Sequence, residues 1–138
     1  MKTLSRFIDA QQSAYDVALS EIKSGRKTSH WMWYIFPQVK GLGFSETSKF
    51  YGIESLDEAS AYLEHPVLGK RLIEICEALL KLKSVQADEV FGRPDDMKLK
   101  SSMTLFAAVP NSNVVFSAVL EKFFKGEQDK NTLRILGI

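Results

Sequence analysis

Leu4, Phe7, Ile8, Tyr15, Ala18 and Ile22 fall on one side of a 3.6-residue repeat, which predicts an amphipathic helix ending near Gly25. In Ser55-Leu56-Asp57-Glu58 the Ser hydroxyl and the Glu carboxylate can satisfy each other's backbone N–H groups, so a second helix should run from this capping box to about Glu64. Pro66 suits the first turn of a third, whose stripe is Leu68, Leu72, Cys76, Leu79 and Leu80 or Leu82. After the break at Gly92-Arg93-Pro94, one helical face carries Leu99, Ser102, Met103 and Phe106, and Pro110-Asn111-Ser112 marks its stop. Val115, Phe116, Val119, Leu120 and Phe123 repeat the spacing as far as Gly126, and Asp129 can cap a terminal helix through Leu136. No stretch alternates with a two-residue period beside hairpin turn residues. The pattern predicts an all-α single domain over residues 1–138, its helices joined by short loops.

Gly25 to Tyr51 departs from this one-sided pattern. His30-Trp31-Met32-Trp33-Tyr34-Ile35-Phe36-Pro37-Gln38 is apolar all round if helical. It should be the central, most buried element, with Trp31 or Trp33 inaccessible and Pro37 forcing the exit. Buried indoles and imidazoles need polar partners, which other segments must supply. In Gly41-Leu42-Gly43-Phe44-Ser45, Ser45 can cap a helix from Glu46 to Tyr51. The two glycines make either an ordinary turn or a cradle of N–H groups facing an anion. They do not complete a dinucleotide-binding fingerprint.

Composition narrows the field. A chain of 138 residues, 45% apolar and 25% charged, can bury roughly two-thirds of the surface it exposes when unfolded and needs no metal or disulfide to supplement its core. The single Cys76 excludes an internal disulfide and a zinc site built on several thiolates. No apolar run approaches the ~18 residues of a membrane span, and the first residues lack a signal peptide's apolar stretch. These features lead us to expect a cytoplasmic protein. With 18 Lys+Arg against 17 Asp+Glu, no bulk electrostatic footprint for nucleic acid or membrane is present. We expect no cofactor and no metal.

The motifs carry a resemblance. The aromatic segment His30 to Gln38, Gly41-Leu42-Gly43 with Ser45, His65-Pro66-Val67-Leu68-Gly69 with Arg71-Leu72, and Phe91-Gly92 followed by Asp95-Asp96, Lys98 and Ser101 to Phe106 resemble the signature of the bacterial family catalogued as domain of unknown function 1810. Phe7, Ala10-Gln11 and Tyr15 near the start and Asp129, Thr132-Leu133 and Gly137 near the end extend the likeness along the whole chain. The resemblance implies a compact fold of several helices around a central one and no established activity. Members are often labelled calpastatin. Calpastatin inhibitory segments are disordered and proline-rich, whereas this chain has 4 Pro and a folding apolar content.

Recognisable catalytic signatures are missing: no phosphate-binding G-x-x-x-x-G-K-[ST] loop, no H-E-x-x-H, no serine nucleophile elbow. Ser20-Glu21-Ile22-Lys23 has S-x-x-K spacing but reads as a solvated helix face, and Cys76 reads as a small core side chain. Polar residues at apolar positions say more. Gln11 lies among Phe7, Ile8 and Tyr15; Asp95 and Ser102 share a line with Leu99 and should form a half-buried polar unit; His65 and Arg71 bracket a helix start. Each has a structural explanation as a cap or an internal hydrogen bond. Together His30, Trp31, Trp33, Gln38, Gly41, Gly43, Ser45, His65, Arg71, Asp95, Lys98 and Ser102 are the candidate ligand-binding set. They would hold a small planar or phosphorylated molecule, with Lys98 or Arg71 facing the anion and an indole stacking on the ring. His30, Asp95 and Lys98 should share one pocket, and His30 with Asp95 could move a proton. The competing reading is a non-catalytic protein–protein interaction module whose polar motifs only fix the fold. Convergence of the motif side chains on one open concavity favours the first reading; scatter and internal satisfaction favour the second.

Overall fold

The computed structural model describes residues 3–138. The predicted helices form close to their predicted limits. α1 (Ser5–Lys23) buries Phe7, Gln11, Tyr15, Ala18 and Ile22 and ends before Gly25, which turns the chain at φ +84°. α3 (Glu46–Tyr51) starts on Ser45, whose hydroxyl accepts from Ser48 N at 3.1 Å. α4 (Leu56–Glu64) starts on Ser55, which accepts from Glu58 N at 3.2 Å. Only that half of the capping box forms. The Glu58 carboxylate instead takes the Glu54 N–H at 2.8 Å and the buried Arg6 guanidinium at 3.1 Å. α5 (Leu68–Leu80) is capped by His65, whose Nδ1 accepts from the amides of Val67 and Leu68. α8 (Val115–Phe124) ends on left-handed Lys125 and Gly126, and α9 (Lys130–Leu136) starts on Asp129, which accepts from Thr132 N at 2.9 Å.

Two short helices complete the architecture. α6 (Ala87–Phe91) has no counterpart in the sequence reading, because five residues hold too little periodicity to register. The aromatic segment closes just one helical turn, α2 (Met32–Ile35). Its burial is also one-sided: Trp31, Met32, Ile35 and Phe36 are buried, while Trp33 and Tyr34 are half-exposed.

The central element is instead α7 (Asp95–Ala107), packed by α4, α6, α8 and α9, with every residue from Ser101 to Phe106 buried. Its small hydroxyl residues disguise it in the sequence. Ser101 and Thr104 return their hydroxyls to the carbonyls of Met97 and Lys100, four residues back, at 3.1 and 2.8 Å, and so are buried with their donors satisfied. Aromatic rings tie the layers together: Phe7 meets Tyr62 edge-on at 5.2 Å, and Tyr62, Phe106 and Phe116 follow at 5.3 and 5.8 Å. The protein is an all-α single domain of helices around a buried central helix. No helix among the described residues is long and apolar enough to cross a membrane.

Candidate functional site

Beyond α2 the chain makes a closed excursion. Gln38 O accepts from Ile53 N at 2.9 Å and Lys40 N donates to Ile53 O at 2.8 Å, so a single parallel bridge, Val39 to Ile53, pins both ends of the segment. Within it lie the glycine turn and α3. Gly41 holds φ +109°, a conformation that side-chain-bearing residues rarely adopt. At Gly43 a Cβ would lie 2.6 Å from the Ser48 hydroxyl, so only glycine lets the turn lie this close to α3.

The turn forms one wall of an open cleft of about 520 Å³. Trp33 and Gln38 contribute a second wall, the first turns of α7 bring Pro94, Met97, Lys98 and Ser101, and the start of α9 brings Asp129 and Asn131. Leu42, Phe44, Ser45 and Ser48 complete it, with Phe44 87% exposed and Met97 49% exposed at its rim.

A chain of charges runs behind Lys98. Its Nζ lies 5.0 Å above the Trp33 ring and 3.3 Å from Asp95 Oδ1. The other carboxylate oxygen of Asp95 holds Lys27 Nζ at 2.8 Å, and Lys27 in turn sits 5.0 Å above the Trp31 ring. Two cations share one anion, so the array keeps one net positive charge. Lys27 is the more enclosed, with 8% of its side chain exposed against 27% for Lys98, and the residual charge is therefore presented at Lys98.

The two tryptophans differ sharply. Trp31 is 1% exposed and donates its Nε1–H to Glu21 at 2.9 Å. Burial raises the Glu21 carboxyl pKa, but hydrogen bonds from the Ser29 hydroxyl, the Thr28 and Ser29 amides and the Trp31 indole outweigh it and bring the value down to about 2. The Trp33 indole N–H has no hydrogen-bond partner among the described residues, and the residue lines the cleft. The Gln38 carboxamide, also half-buried, is likewise without a side-chain partner there. Asp129 uses Oδ2 on Thr132 and has no bond on Oδ1.

Of the candidate residues, Trp33, Gln38, Gly43, Ser45 and Lys98 meet at this cleft. Gly41 starts the turn without lining it, and Asp95 stands behind Lys98. The others lie elsewhere. His30 is exposed away from the cleft, and only its carbonyl is engaged, accepting from Tyr34 OH at 3.2 Å. The expected grouping of His30, Asp95 and Lys98 in one pocket therefore does not form: the short turn of α2 leaves His30 ahead of the element that reaches the cleft. Trp31 is a core residue. His65 is a helix cap, and Arg71 stacks 5.0 Å above Tyr15 and reaches Gln11 Oε1 at 3.4 Å. Gln11 itself donates to Tyr34 O and Tyr62 OH at 2.7 and 3.0 Å, a buried structural network. Burial, then the Glu74 carboxylate that accepts from it, pushes the Tyr15 hydroxyl pKa up within the same cluster.

Asp95 and Ser102 do not form a polar unit. Asp95 pairs with the two lysines, whereas the Ser102 hydroxyl is fully buried with no partner among the described residues. Neither Asp95 nor Asp96 caps α7, and Asp96 Oδ1 is also buried and unpartnered. Cys76 is buried with its sulfur 3.7 Å from that of Met103, and burial pushes its thiol pKa upward. Of the stretch read as a solvated face, Ser20 and Lys23 are exposed, but Ile22 is buried and Glu21 is turned to Ser29 and the Trp31 indole. No cluster of three or more potential metal ligands occurs among the described residues.

Sequence reasoning missed Ser48, Ser101 and Asn131. It read Asp129 only as a cap and did not nominate Phe44 or Met97 for the site, because nothing local marks a residue as lining a cleft that three distant segments assemble.

The crystal structure of the conserved hypothetical protein Rv1873 from Mycobacterium tuberculosis is similar over 98% of this chain and 96% of that one, at 45% sequence identity and a TM-score of 0.95. No curated protein matches. The family described as "Protein of unknown function (DUF1810)" matches residues 1–136, a span that takes in every cleft-lining segment, and the chain belongs to that family.

Proposed function

We propose that the protein binds a small planar molecule bearing an anionic or strongly accepting group in the cleft between α2, the glycine turn and the starts of α7 and α9, and that it does so in the cytoplasm. The observation that carries this reading is the Lys98 ammonium 5.0 Å from the Trp33 ring in the wall of a cleft of about 520 Å³. That volume falls within the range of small-molecule sites. The ring of the ligand packs against the part of the half-exposed Trp33 indole that Lys98 does not cover, its anion meets Lys98, and the Trp33 N–H and Gln38 carboxamide orient it. Among the described residues, the ionisable side chains lining the cleft are those of Lys98 and Asp129. Turnover would therefore draw its proton transfers from these two and not from His30.

The test is a thermal-shift screen of nucleosides, nucleotides and phosphosugars. A ligand at a hundred times its dissociation constant stabilises by ~2.7 kcal/mol. Lys98→Met should abolish the shift while the ligand-free variant melts normally. A panel without any Lys98-dependent shift overturns the reading. The exposed Phe44 and Met97 on the rim favour a second reading, a docking surface for another protein. Trp33, Gln38, Gly43, Ser45 and Lys98 at one cleft weigh for the first; the separate positions of His30, Trp31, His65, Arg71 and Ser102 weigh for the second.

A further inference from the structure

The charge and hydrogen-bonding capacity of the cleft narrow the ligand beyond the reading above, on which this step rests. We infer that the site takes a nucleoside or a nucleoside monophosphate and discriminates against polyphosphates.

Among the described residues the lining contains one cation, Lys98, and one anion, Asp129. Lys27 does not add to the attraction, because Asp95 Oδ2 holds it at 2.8 Å and its side chain is 8% exposed. One residual positive charge can meet one phosphate. A triphosphate brings several further negative charges into a cleft whose other charged lining group, among the described residues, is the carboxylate of Asp129, and like charges brought together there repel.

The remaining groups fit a heterocycle and its sugar. Gln38 has a donor and an acceptor side by side and no side-chain partner among the described residues, the arrangement by which a carboxamide reads the edge of a base. Trp33 gives an aromatic surface beside it, and Asp129 Oδ1 is an open acceptor for a sugar hydroxyl or an exocyclic amine. A phosphosugar offers no aromatic ring to Trp33 and no base edge to Gln38.

Adenosine and guanosine, each as nucleoside, 5′-monophosphate and 5′-triphosphate, are titrated into the full chain at low ionic strength without divalent cations, with tryptophan fluorescence as the readout. Trp31 is shielded, so quenching reports Trp33, and Trp33→Phe should lose the signal. We expect a nucleoside and its monophosphate to bind, with the triphosphate weaker by about tenfold or more. Asp129→Asn keeps the α9 cap, since asparagine caps as well as aspartate. It should raise triphosphate affinity and narrow that gap; far-ultraviolet circular dichroism verifies its fold. The inference is overturned if the triphosphate binds tightest, if Asp129→Asn leaves the ratio unchanged, or if none of the six compounds quenches. The underlying reading fails on a different result, the absence of any Lys98-dependent thermal shift across the wider panel.

Discussion

Trp31 and Trp33 stand two residues apart, each with a lysine ammonium 5.0 Å above its ring, and both lysines share Asp95. Their surroundings separate them. Trp31 is sealed among Phe36 and Phe91, with ring centroids 6.1 and 6.3 Å away, and its N–H is bound by Glu21. Trp33 faces the open cleft with its N–H unclaimed. The same residue pair serves the core when every polar atom has a protein partner, and it makes a binding surface when one is left open. A buried donor without a partner costs roughly 1–3 kcal/mol, a cost that an N–H open to water or a ligand does not incur.

The largest test of this contrast removes each ring. Trp31→Ala should cost about 3–5 kcal/mol in denaturant unfolding, and Trp33→Ala about 1–2 kcal/mol, because a half-buried ring gives up only part of the transfer energy. Equal losses would mean that Trp33 is as much core as its neighbour.

Glu21 is next. Glu21→Gln should destabilise by about 2–3 kcal/mol at neutral pH, since a carboxylate holding charge-assisted bonds is replaced by a group that cannot accept on both sides. The folded-state pKa of about 2 lies below the ordinary value near 4.5. Glu21 therefore contributes its full stabilisation above about 4.5, and the unfolded chain takes up the proton first as pH falls. The difference between wild type and variant should shrink from pH 4.5 towards 2. A difference independent of pH over that window would contradict the carboxylate's role.

The contrast recurs one helix away, in adjacent hydroxyls. Ser101 lines the cleft and is bonded to Met97 O; Ser102 points into the core without a partner. Ser102→Leu should destabilise by about 1–3 kcal/mol through overpacking. Ser102→Ala should be neutral or stabilise by up to about 1 kcal/mol, because it deletes an unsatisfied hydroxyl. A substantial loss in the alanine variant would reveal a partner for that oxygen. The smallest effect belongs to Lys98→Met: its ion pair with Asp95 is partly exposed, and the unfolding free energy in denaturant should change by less than about 0.5 kcal/mol. A large loss would make Lys98 a structural residue and weaken its assignment to the cleft.

The helices were legible wherever a one-sided stripe met a cap or a glycine stop, as in Phe7 to Ile22, Leu68 to Leu79 and Val115 to Phe123, because these signals are local and act within a turn or two. Ser45, Ser55 and Asp129 started their helices for the same reason. The identity of the central helix was not legible. An element covered on all sides need not look apolar when its serines and threonines bond to their own backbone, and α7 outranks the aromatic segment in burial on that account. In the site, Trp33, Gln38, Gly43, Ser45 and Lys98 could be nominated from residue type and company. His30, His65 and Arg71 had the same credentials, and their exclusion follows from where the helices carry them. Composition and periodicity, acting over a few residues, determined the class of fold and the ends of its longer elements. Tertiary packing alone decided which tryptophan is core and which is surface, how two lysines divide one aspartate, and that segments more than thirty residues apart meet in one cleft, because burial and charge pairing depend on neighbours that only the folded chain brings together.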